Sequence, residues 1–405
     1  MAKIKKIKAS QILDSRNKPT IEARVITDSG EFSAAVPSGT SKGEFEAKVG
    51  SPQAAIKKIE GIISRNLAGK NPVEQREIDN LLIKLDGTED KSNLGANAIL
   101  AVSTAVLRAA AKAEKTPLWQ RIAKISDSRP KLPYPCVLQI EGGLHGKGEL
   151  DIQEFMTVFR TGSFEKSFNQ SVKVYYFLKK FLIENYGRSA VALGLEGAFI
   201  PPINKTKEAL EVIAEVSGQA GLGSNDKMKI ILDAAASSFI QKGGYFFEGE
   251  KMSRQELSAF YSEITESYPL IGGIEDPFSE NDWPAWKKLT KESEKSKVLI
   301  VADDLTATNP KRIKEAYQKK ACNAVIIKPN QIGTVSETIE SIKLAKSYGW
   351  KIIVSHRSGE TKDDFIADLA VGSGADFIKA GAPSRPERMA KYNRLLKIEK
   401  EICRN

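Results

Sequence analysis

The second half of the sequence alternates short apolar runs with amphipathic helical segments, and this alternation most limits the possible folds. Apolar runs without polar alternation are typical of strands buried on both faces of a parallel sheet. Six or more such units over about 270 residues favour a closed β/α barrel, which places the chain in the α/β class. No G-x-G-x-x-G motif follows the first run, which argues against a dinucleotide-binding sheet. The runs are PCVLQI, IQEFMTVF, VALGLEG, KIILDAAA, LIGGIEDPF, VLIVADDL, AVIIKPNQ, KIIVSHRSG and DFIKAGAP, and helices are clearest at 207–219, 252–268, 310–321 and 334–349.

The first 130 residues follow a different pattern. Stretches rich in Ile, Val and Thr, separated by turn residues, predict strands, and segments with helical periodicity come after them. Strands followed by helices predict a small α+β domain. We therefore expect an α+β domain over residues 1–130 and a barrel over residues 131–405, joined by the turn-rich segment 124–135. The predicted strands are 3–13, 20–28 and 31–36, and the predicted helices are 54–67, 72–85 and 94–115.

Charged or polar side chains directly follow most of the apolar runs of the second half. The carboxyl ends of the strands of a β/α barrel form its active site, so these side chains are predicted to face one another. Chance alone would not repeat a polar residue at the matching position of so many strands. The residues are Asp233, Glu275, Asp276, Asp303, Asp304, Lys328, His356, Arg357, Ser358 and Lys379.

Three of these residues, Asp233, Glu275 and Asp303, are carboxylates from three separate strands. Converging carboxylates repel one another unless a cation lies between them, and oxygen-only ligands favour Mg²⁺ over zinc or copper. The alternative is that each acid caps the helix after its strand, where carboxylates are common. Three acids at matched positions favour the metal site.

The remaining groups suggest acid–base chemistry. A lysine held near another cation loses its proton more easily, so Lys328 or Lys379 could act as a base; alternatively, both lysines bind an anion such as phosphate. Arg357 suits bidentate binding of a phosphate or carboxylate. Glu154 and Glu196 lie in apolar surroundings, where a glutamate either stays neutral as a general acid or is neutralised by basic neighbours. The sequence thus predicts Mg²⁺-assisted removal of a proton next to a carboxylate.

The composition limits which partners and which chemistry fit. The chain has 405 residues and a formal net charge of +10, with basic residues scattered among acidic ones. This pattern indicates a solvated basic surface, so we expect no specific nucleic-acid binding. The two histidines argue against a histidine-rich metal site, and the three cysteines lack disulfide or zinc spacing and are typical of the cytoplasm. No run reaches about 18 apolar residues, so no membrane span is expected.

A series of longer segments matches a known family along nearly the whole chain. The segments are LDSRNKPTIEA, VPSGTSKGE, LDGTEDKSNLGANAILAVS, QEFM, ILDAAAS, IEDPFSENDW, VADDLTATNPKRI, IIKPNQIGT, VSHRSGET and AGAPSRPERMAKYN. On these motifs the chain resembles the enolases, Mg²⁺-dependent hydro-lyases that interconvert 2-phosphoglycerate and phosphoenolpyruvate. The resemblance implies a small α+β domain, a (β/α)8 TIM-like barrel that begins with an irregular ββαα unit, and a homodimer.

The resemblance also implies roles for individual residues. Lys328 would take the proton from C2 of 2-phosphoglycerate, and Glu196 would protonate the C3 hydroxyl as it leaves, with Glu154 assisting. The catalytic His356 would lie beside the phosphate. The other implied site residues are Asp233, Glu275 and Asp303 on one Mg²⁺, Ser41 of the mobile loop 38–43 on the substrate and a second Mg²⁺, and Gln153, His145, Arg357, Ser358 and Lys379 on the substrate.

Two departures from the family pattern lie near the implied acid. The family's Gly-Asp-Glu-Gly-Gly is replaced by residues 194–198, where Leu195 precedes Glu196, and its Asn-Gly-Gly begins here with Glu141. Leu195 removes like-charge repulsion from Glu196 and adds desolvation, which act on its pKa in opposite directions. Because every implied base, acid and ligand is retained, we expect an active enzyme. The alternatives are a related lyase with another phosphorylated or carboxylated substrate, and an inactive enolase-like protein that binds RNA, a membrane or a partner.

Overall fold

A three-stranded sheet with helices precedes a closed barrel of eight strands. The structure is a computed structural model that describes residues 2–40, 43–146, 148–222, 227–241 and 243–403. The predicted α/β class and the barrel are confirmed.

The chain begins with an antiparallel meander because tight turns reverse it twice. In the first turn, the carboxylate of Asp14 accepts the amide protons of Arg16 and Lys18, which is a local bond that favours a turn over an extended chain. The strands are β1 (Ile4–Leu13), β2 (Pro19–Thr27) and β3 (Gly30–Ala35), and the helices that follow are α1 (Pro52–Lys58), a π-helical turn (Ile59–Ile63), α2 (Ser64–Leu67), α3 (Gln75–Asp86), α4 (Ala96–Ala113) and α5 (Leu118–Ser126).

Helix α4 forms the centre of this first part. Its sequence, ANAILAVSTAVLRAAAKA, is apolar on nearly every face, and most of its residues are buried. A helix that is apolar all round is stable only inside a core. It lies against β2 and β3, and the β2 residues Ile21, Ala23 and Val25 are fully buried.

Eleven further strands follow among the described residues, of which eight form the barrel and three form a small separate meander. They are β4 (Tyr134–Glu141), β5 (Glu154–Phe159), β6 (Met228–Asp233), the meander β7 (Ile240–Gln241), β8 (Gly244–Phe247) and β9 (Glu250–Met252), then β10 (Ile271–Glu275), β11 (Leu299–Ala302), β12 (Ala324–Ile327), β13 (Lys351–Ser355) and β14 (Phe377–Lys379). The barrel closes in the order β10-β11-β12-β13-β14-β4-β5-β6. The helices are α6 (Gly143–Gly146), α7 (Phe164–Tyr186), α8 (Thr206–Gln219), α9 (Arg254–Ser267), α10 (Trp283–Ser293), α11 (Pro310–Lys319), α12 (Pro329–Ile332), α13 (Val335–Ser347), α14 (Phe365–Gly372) and α15 (Pro386–Ile402).

The start of the barrel is irregular and departs from the pattern that apolar runs suggest. Strand β5 runs antiparallel to both β4 and β6, although its residues are buried on both faces like those of a parallel strand. The run 191–197 is not a strand: it follows a 3-10 turn and contributes one bridge, between Leu193 and Phe199. Helix α7 was not anticipated, because its many aromatic and β-branched residues have low helix propensity. The order β4, β5, α7, α8 is the ββαα start that the family resemblance implies.

Two hydrophobic clusters form the interior. One joins buried residues between Ile4 and Ala109, and the other joins buried residues between Leu107 and Ile398 and fills the barrel and its helix layer. The domain boundary at residue 130 stays a prediction. Among the described residues, no helix is both long enough and apolar enough to cross a bilayer.

A partly buried ion pair joins the first part of the chain to the barrel. Arg108 of α4 donates to both oxygens of Asp363, at 2.7 and 2.8 Å, and also to Asp364 at 3.1 Å. Burial acts to raise the pKa of Asp363, but the guanidinium outweighs it and lowers that pKa. The pair therefore stabilises the fold above the pKa that Asp363 has when unfolded, and its contribution is lost as the pH falls through the lower folded pKa.

We expect Arg108→Gln to lower the free energy of unfolding by about 2–3 kcal/mol at pH 7, because Asp363 is left without its main partner. The difference in the free energy of unfolding between the variant and the wild type should become smaller below about pH 4, where Asp363 becomes protonated. Urea unfolding at several pH values measures the difference and its pH dependence. The control is Arg76→Gln, whose ion pair with Glu340 spans 4.0 Å and is mostly exposed, so its loss should have little effect. Equal effects of the two variants would contradict the prediction.

Candidate active site

The carboxyl ends of the barrel strands surround a small, polar pocket. Every predicted site residue within the described ranges lies at this end of the barrel. Glu275 lies next to the pocket, against Lys379, and Ser41 lies outside the described residues. The residues that line the pocket include Thr40, His145, Gln153, Glu154, Glu196, Asp233, Asp276, Asp303, Asp304, Lys328, His356, Arg357, Ser358 and Lys379.

The ammonium group of Lys379 lies at the centre of a carboxylate cluster. Its Nζ is 2.9 Å from Glu154 Oε2, 2.9 Å from Asp233 Oδ2 and 3.0 Å from Glu275 Oε1. Burial alone would lower the pKa of Lys379, but the surrounding carboxylates raise it well above its usual value. Lys379 is therefore a fixed positive charge and a poor candidate for the base.

Lys328 is held at the end of β12 by a second set of contacts. Its Nζ contacts Asp303, and its backbone amide donates to Thr308 Oγ1 at 2.9 Å. Gln331 donates to the other oxygen of Asp303 at 3.0 Å. Burial, Arg357 and Lys379 all act to lower the pKa of Lys328, but the charge of Asp303 outweighs them and raises it. Whether Lys328 can act as a base thus depends on the charge of Asp303.

The donor set at this end of the barrel fits a hard divalent cation. Asp233, Glu275 and Asp303 end the neighbouring strands β6, β10 and β11 or follow them directly. Burial and the nearby charge of Asp233 raise the pKa of Glu275 well above its usual value, and burial raises the pKa of Asp233. Such an excess of buried negative charge is what a bound cation relieves. Lys379 contacts Asp233 and Glu275, whereas Lys328 contacts Asp303. A carboxylate oxygen of Asp303 also lies within 4.8 Å of oxygen atoms of Asp276 and Asp304, so these three residues form a second group that could hold a cation.

Glu196 lies against an imidazole whose tautomer the structure determines. Glu196 Oε2 is 2.9 Å from His356 Nε2, and Arg388 Nη1 is 2.5 Å from His356 Nδ1. A guanidinium group can only donate, so Nδ1 must accept and the hydrogen of a neutral His356 lies on Nε2, towards Glu196. Burial and Arg388 lower the pKa of His356, which agrees with a neutral ring.

His145 is the second imidazole beside Glu196. Its Nδ1 lies 3.4 Å from Glu154 Oε1 and 3.6 Å from Glu196 Oε1. Burial acts to lower the pKa of His145, but these carboxylates raise it. Burial also raises the pKa of Glu196, yet its imidazole and guanidinium neighbours outweigh burial and lower it. Desolvation by Leu195 therefore does not decide the charge of Glu196.

The first part of the chain forms one wall of the pocket. Arg357 makes a bidentate pair with Glu46, at 3.0 and 3.1 Å. The amide of Thr40 donates to Ser358 Oγ at 2.9 Å, and Arg16 donates to Thr40 Oγ1 at 2.6 Å. The phosphate-binding candidates Arg357 and Ser358 are thus tied to the loop that carries Ser41.

Three residues near the site have no role in the sequence-based prediction, although Asp276 is predicted to lie at a strand end. Asp276 has a left-handed backbone (φ 42°), and its carboxylate accepts the amides of Asp303 and Asp304, each at 2.9 Å. Its position after a strand could have suggested this role. Arg388 and Glu46 follow no strand, so only the tertiary structure brings them to the pocket.

Comparisons with known proteins agree with this geometry. Residues 4–122 match the family profile "Enolase, N-terminal domain", and residues 129–405 match "Enolase, C-terminal TIM barrel domain". An enolase of Mastigamoeba balamuthi is 44% identical over 431 residues, covering 100% of this chain and 97% of that protein. An enolase of Methanocaldococcus jannaschii is 43% identical over 98% of this chain and 95% of that protein. An enolase of Thermococcus kodakarensis is 44% identical over 97% of this chain and 94% of that protein.

Proposed function

This chain belongs to the enolase family and is a phosphopyruvate hydratase, and we propose that Lys328 and Glu196 perform its two proton transfers. The reaction is the reversible dehydration of 2-phosphoglycerate to phosphoenolpyruvate in glycolysis. One observation carries the assignment: Lys328 and Glu196 lie in the same pocket on different elements, each beside a group that controls its proton.

Lys328 is the proposed base. Its Nζ takes the proton from C2, and the electrons of the C–H bond move into the carboxylate of the substrate. The contact with Asp303 favours the ammonium form of Lys328, so the base becomes active only when the charge of Asp303 is compensated. Arg357 and Lys379 favour the neutral amine, because each adds a positive charge near it.

Glu196 is the proposed acid. Its neighbours lower the pKa of Glu196 in the ligand-free site, so Glu196 must take up a proton before this step. It then gives that proton to the C3 hydroxyl, the C3–O bond breaks, and water leaves as the C2–C3 double bond forms. Nε2 of His356 lies 2.9 Å from Glu196 Oε2 and would stabilise the carboxylate that remains. Glu154 approaches the same nitrogen of His145 as Glu196 does, and it assists by favouring the charged form of that imidazole.

Substrate binding falls to the cations and polar groups around the pocket. We propose that Arg357 and Ser358 bind the phosphate, with His356 beside it, and that Arg357 exchanges part of its pairing with Glu46 for the phosphate oxygens. Lys379, Gln153 and His145 would contact the rest of the substrate. The contact residues Arg357, Ser358, Lys379, Gln153, His145 and His356 all line the pocket.

Asp233, Glu275 and Asp303 would hold a Mg²⁺ ion, and Ser41 would reach a second one. Bound magnesium would polarise the carboxylate of the substrate and compensate the charge that Asp303 presents to Lys328. Support comes from the all-oxygen donor set and from the surplus of negative charge around Lys379.

Adding Mg²⁺ in the absence of substrate should raise the melting temperature of the wild-type protein. A ligand at 100 times its Kd stabilises the folded state by about 2.7 kcal/mol, which corresponds to a shift of several degrees. Asp303→Asn should lose most of this shift. The matched control is Asp376→Asn, at the opposite end of β14, where the carboxylate accepts the amide of Ile352 and should not bind the metal. Calorimetry with and without EDTA distinguishes the variants, and a full shift in Asp303→Asn would contradict the proposed ligand set.

The function itself is tested by mixing the purified protein with 2-phosphoglycerate and Mg²⁺ and following the absorbance of the enol phosphate. Formation of the product supports the assignment. Its absence, with turnover of another phosphorylated hydroxy acid, would favour a related lyase. The buried pairing of Lys328 with Asp303 has no use in a pure binding protein.

We further propose a homodimer, a cytoplasmic location and a domain boundary at residue 130. The dimer follows from family membership, and sedimentation velocity tests it. The cysteines Cys136, Cys322 and Cys403 are all unpaired, which suits a reducing compartment. The two family profiles, one ending at residue 122 and the other beginning at residue 129, support the boundary.

A further inference from the structure

A second glutamate, Glu141, is buried directly beneath the proposed acid. It ends β4 and is fully inaccessible to solvent. Its Oε1 accepts the amide protons of Ala198 at 2.7 Å and Glu196 at 3.1 Å, and its Oε2 accepts that of Glu196 at 3.0 Å. The side chain of Glu141 therefore holds the backbone of the residue whose side chain donates the proton.

The loop fits closely around this carboxylate. A Cβ atom at Gly194 would lie 2.3 Å from Glu141 Oε2, so a side chain at that position would displace it. Both carboxylate oxygens accept amide protons, which is an arrangement that the ionised form satisfies completely. A glutamine could offer only one accepting oxygen in its place.

Few other charges face Glu141. The titratable groups around it include Glu196, His145 and Tyr175, and Glu154 lies opposite it on the paired strand β5. Burial, with the nearby charge of Glu196, raises the pKa of Glu141 to about 8. Ionisation of either glutamate therefore opposes ionisation of the other.

The sequence shows an exchange at the same place. The enolase pattern has an acid immediately before the catalytic glutamate and an asparagine where this chain has Glu141. Here the acid is replaced by Leu195, and the asparagine by a glutamate. Leu195 and Glu196 share the peptide bond whose amide donates to Glu141, so the lost acid and the gained acid occupy neighbouring positions in the fold.

We propose that Glu141 is a positioning residue for Glu196: it holds the amides of Glu196 and Ala198 and replaces the acidic neighbour that is lost at Leu195. This inference rests on the proposed role of Glu196 as the acid. Glu141 has no need to touch the substrate. It fixes the backbone of the acid and sets the charge around it.

The first test compares Glu141→Gln with Glu399→Gln. Glu399 is a matched control, because it also accepts two backbone amides, those of Phe164 and Glu165 at 2.7 and 2.9 Å, away from the pocket. We expect Glu141→Gln to lower kcat about tenfold or more with little change in KM, since a small misplacement of a reacting group costs up to about 100-fold. Glu399→Gln should keep the kcat of the wild type. Equal kcat values for the wild type and Glu141→Gln would overturn the proposal.

A second readout needs no substrate. The chain has two histidines, so NMR can follow the titration of His145 and His356 individually. Ionised Glu141 raises the pKa of His145, and Glu141 itself has a pKa of about 8, so the two groups titrate together. The part of the His145 titration above about pH 7 should therefore move to lower pH in Glu141→Gln but not in Glu399→Gln. An unchanged His145 would overturn the proposed placement of Glu141, even if the wild-type protein failed to dehydrate 2-phosphoglycerate.

A double-mutant cycle tests the exchange directly. Leu195→Asp alone would place a third carboxylate beside Glu141 and Glu196 and should lower kcat/KM. In the Glu141→Asn background the same change restores the family pattern. The loss of kcat/KM should then be smaller by about threefold or more, because neighbouring charges couple. Melting temperatures show whether each variant is folded. Equal effects of Leu195→Asp on kcat/KM in the two backgrounds would show that the two positions are independent. That result would overturn the proposal that Glu141 replaces the acid lost at position 195.

Discussion

Replacing Lys328 with alanine is expected to lower kcat by about 10²–10⁴-fold, because the variant keeps the binding groups but has no base to take the C2 proton. The effect should fall on kcat and not on the binding of substrate, since Arg357 and Ser358 remain in place. Removing the ammonium also leaves Asp303 without its direct partner, so the affinity for Mg²⁺ should be kept or increased.

Exchange of the C2 proton with deuterated water measures this step directly. Lys328→Ala should lose both the exchange and the formation of phosphoenolpyruvate. The control is Lys346→Ala, whose ammonium donates to the carbonyl of Ser373 away from the pocket and should not affect either. If Lys328→Ala still exchanged the C2 proton at the wild-type rate, another group would be the base.

Replacing Glu196 with glutamine is expected to separate the two proton transfers. The amide cannot give up a proton to the leaving hydroxyl, so dehydration should fall by about 10²–10⁴-fold. Lys328 remains intact, so the exchange of the C2 proton should continue. The shape of the side chain is kept, and the Nε2 hydrogen of His356 can still donate to the amide oxygen.

The contrast between these two variants is the sharpest test of the assignment. NMR in deuterated water, with the same samples assayed for phosphoenolpyruvate, gives both rates. A Glu196→Gln protein that lost exchange as well as dehydration would show that Glu196 is needed before the first proton transfer. In that case its role would lie in positioning the substrate.

Much of the barrel and of its site could be predicted because strand ends in a barrel converge. Asp233, Lys328 and Lys379 each follow an apolar run, and a closed barrel brings the carboxyl ends of its strands together whatever the loops do. The direction of β5 could not be predicted, since an antiparallel strand buried on both faces has the same apolar pattern as a parallel one.

The charge state of the site could not be predicted from the sequence. Positive charge near Lys328 suggested a neutral amine, but the contact with Asp303 raises its pKa. Leu195 removes like-charge repulsion and adds desolvation, so the sequence left the direction of the pKa shift of Glu196 open, and His356 and His145 lower that pKa. Electrostatic interactions in a buried site depend on distances of a few ångströms, which strand order alone does not supply.

The sequence by itself determined the class of fold, the end of the barrel that carries the chemistry and most of the residues found there. These follow from periodicity and strand position, which are local properties of the chain. Only the tertiary structure revealed the contacts of Glu46, Glu141 and Arg388, because these side chains reach the pocket from elements distant in sequence. Hydrogen bonds and charges act through space, so the tuning of the site is a property of the folded chain.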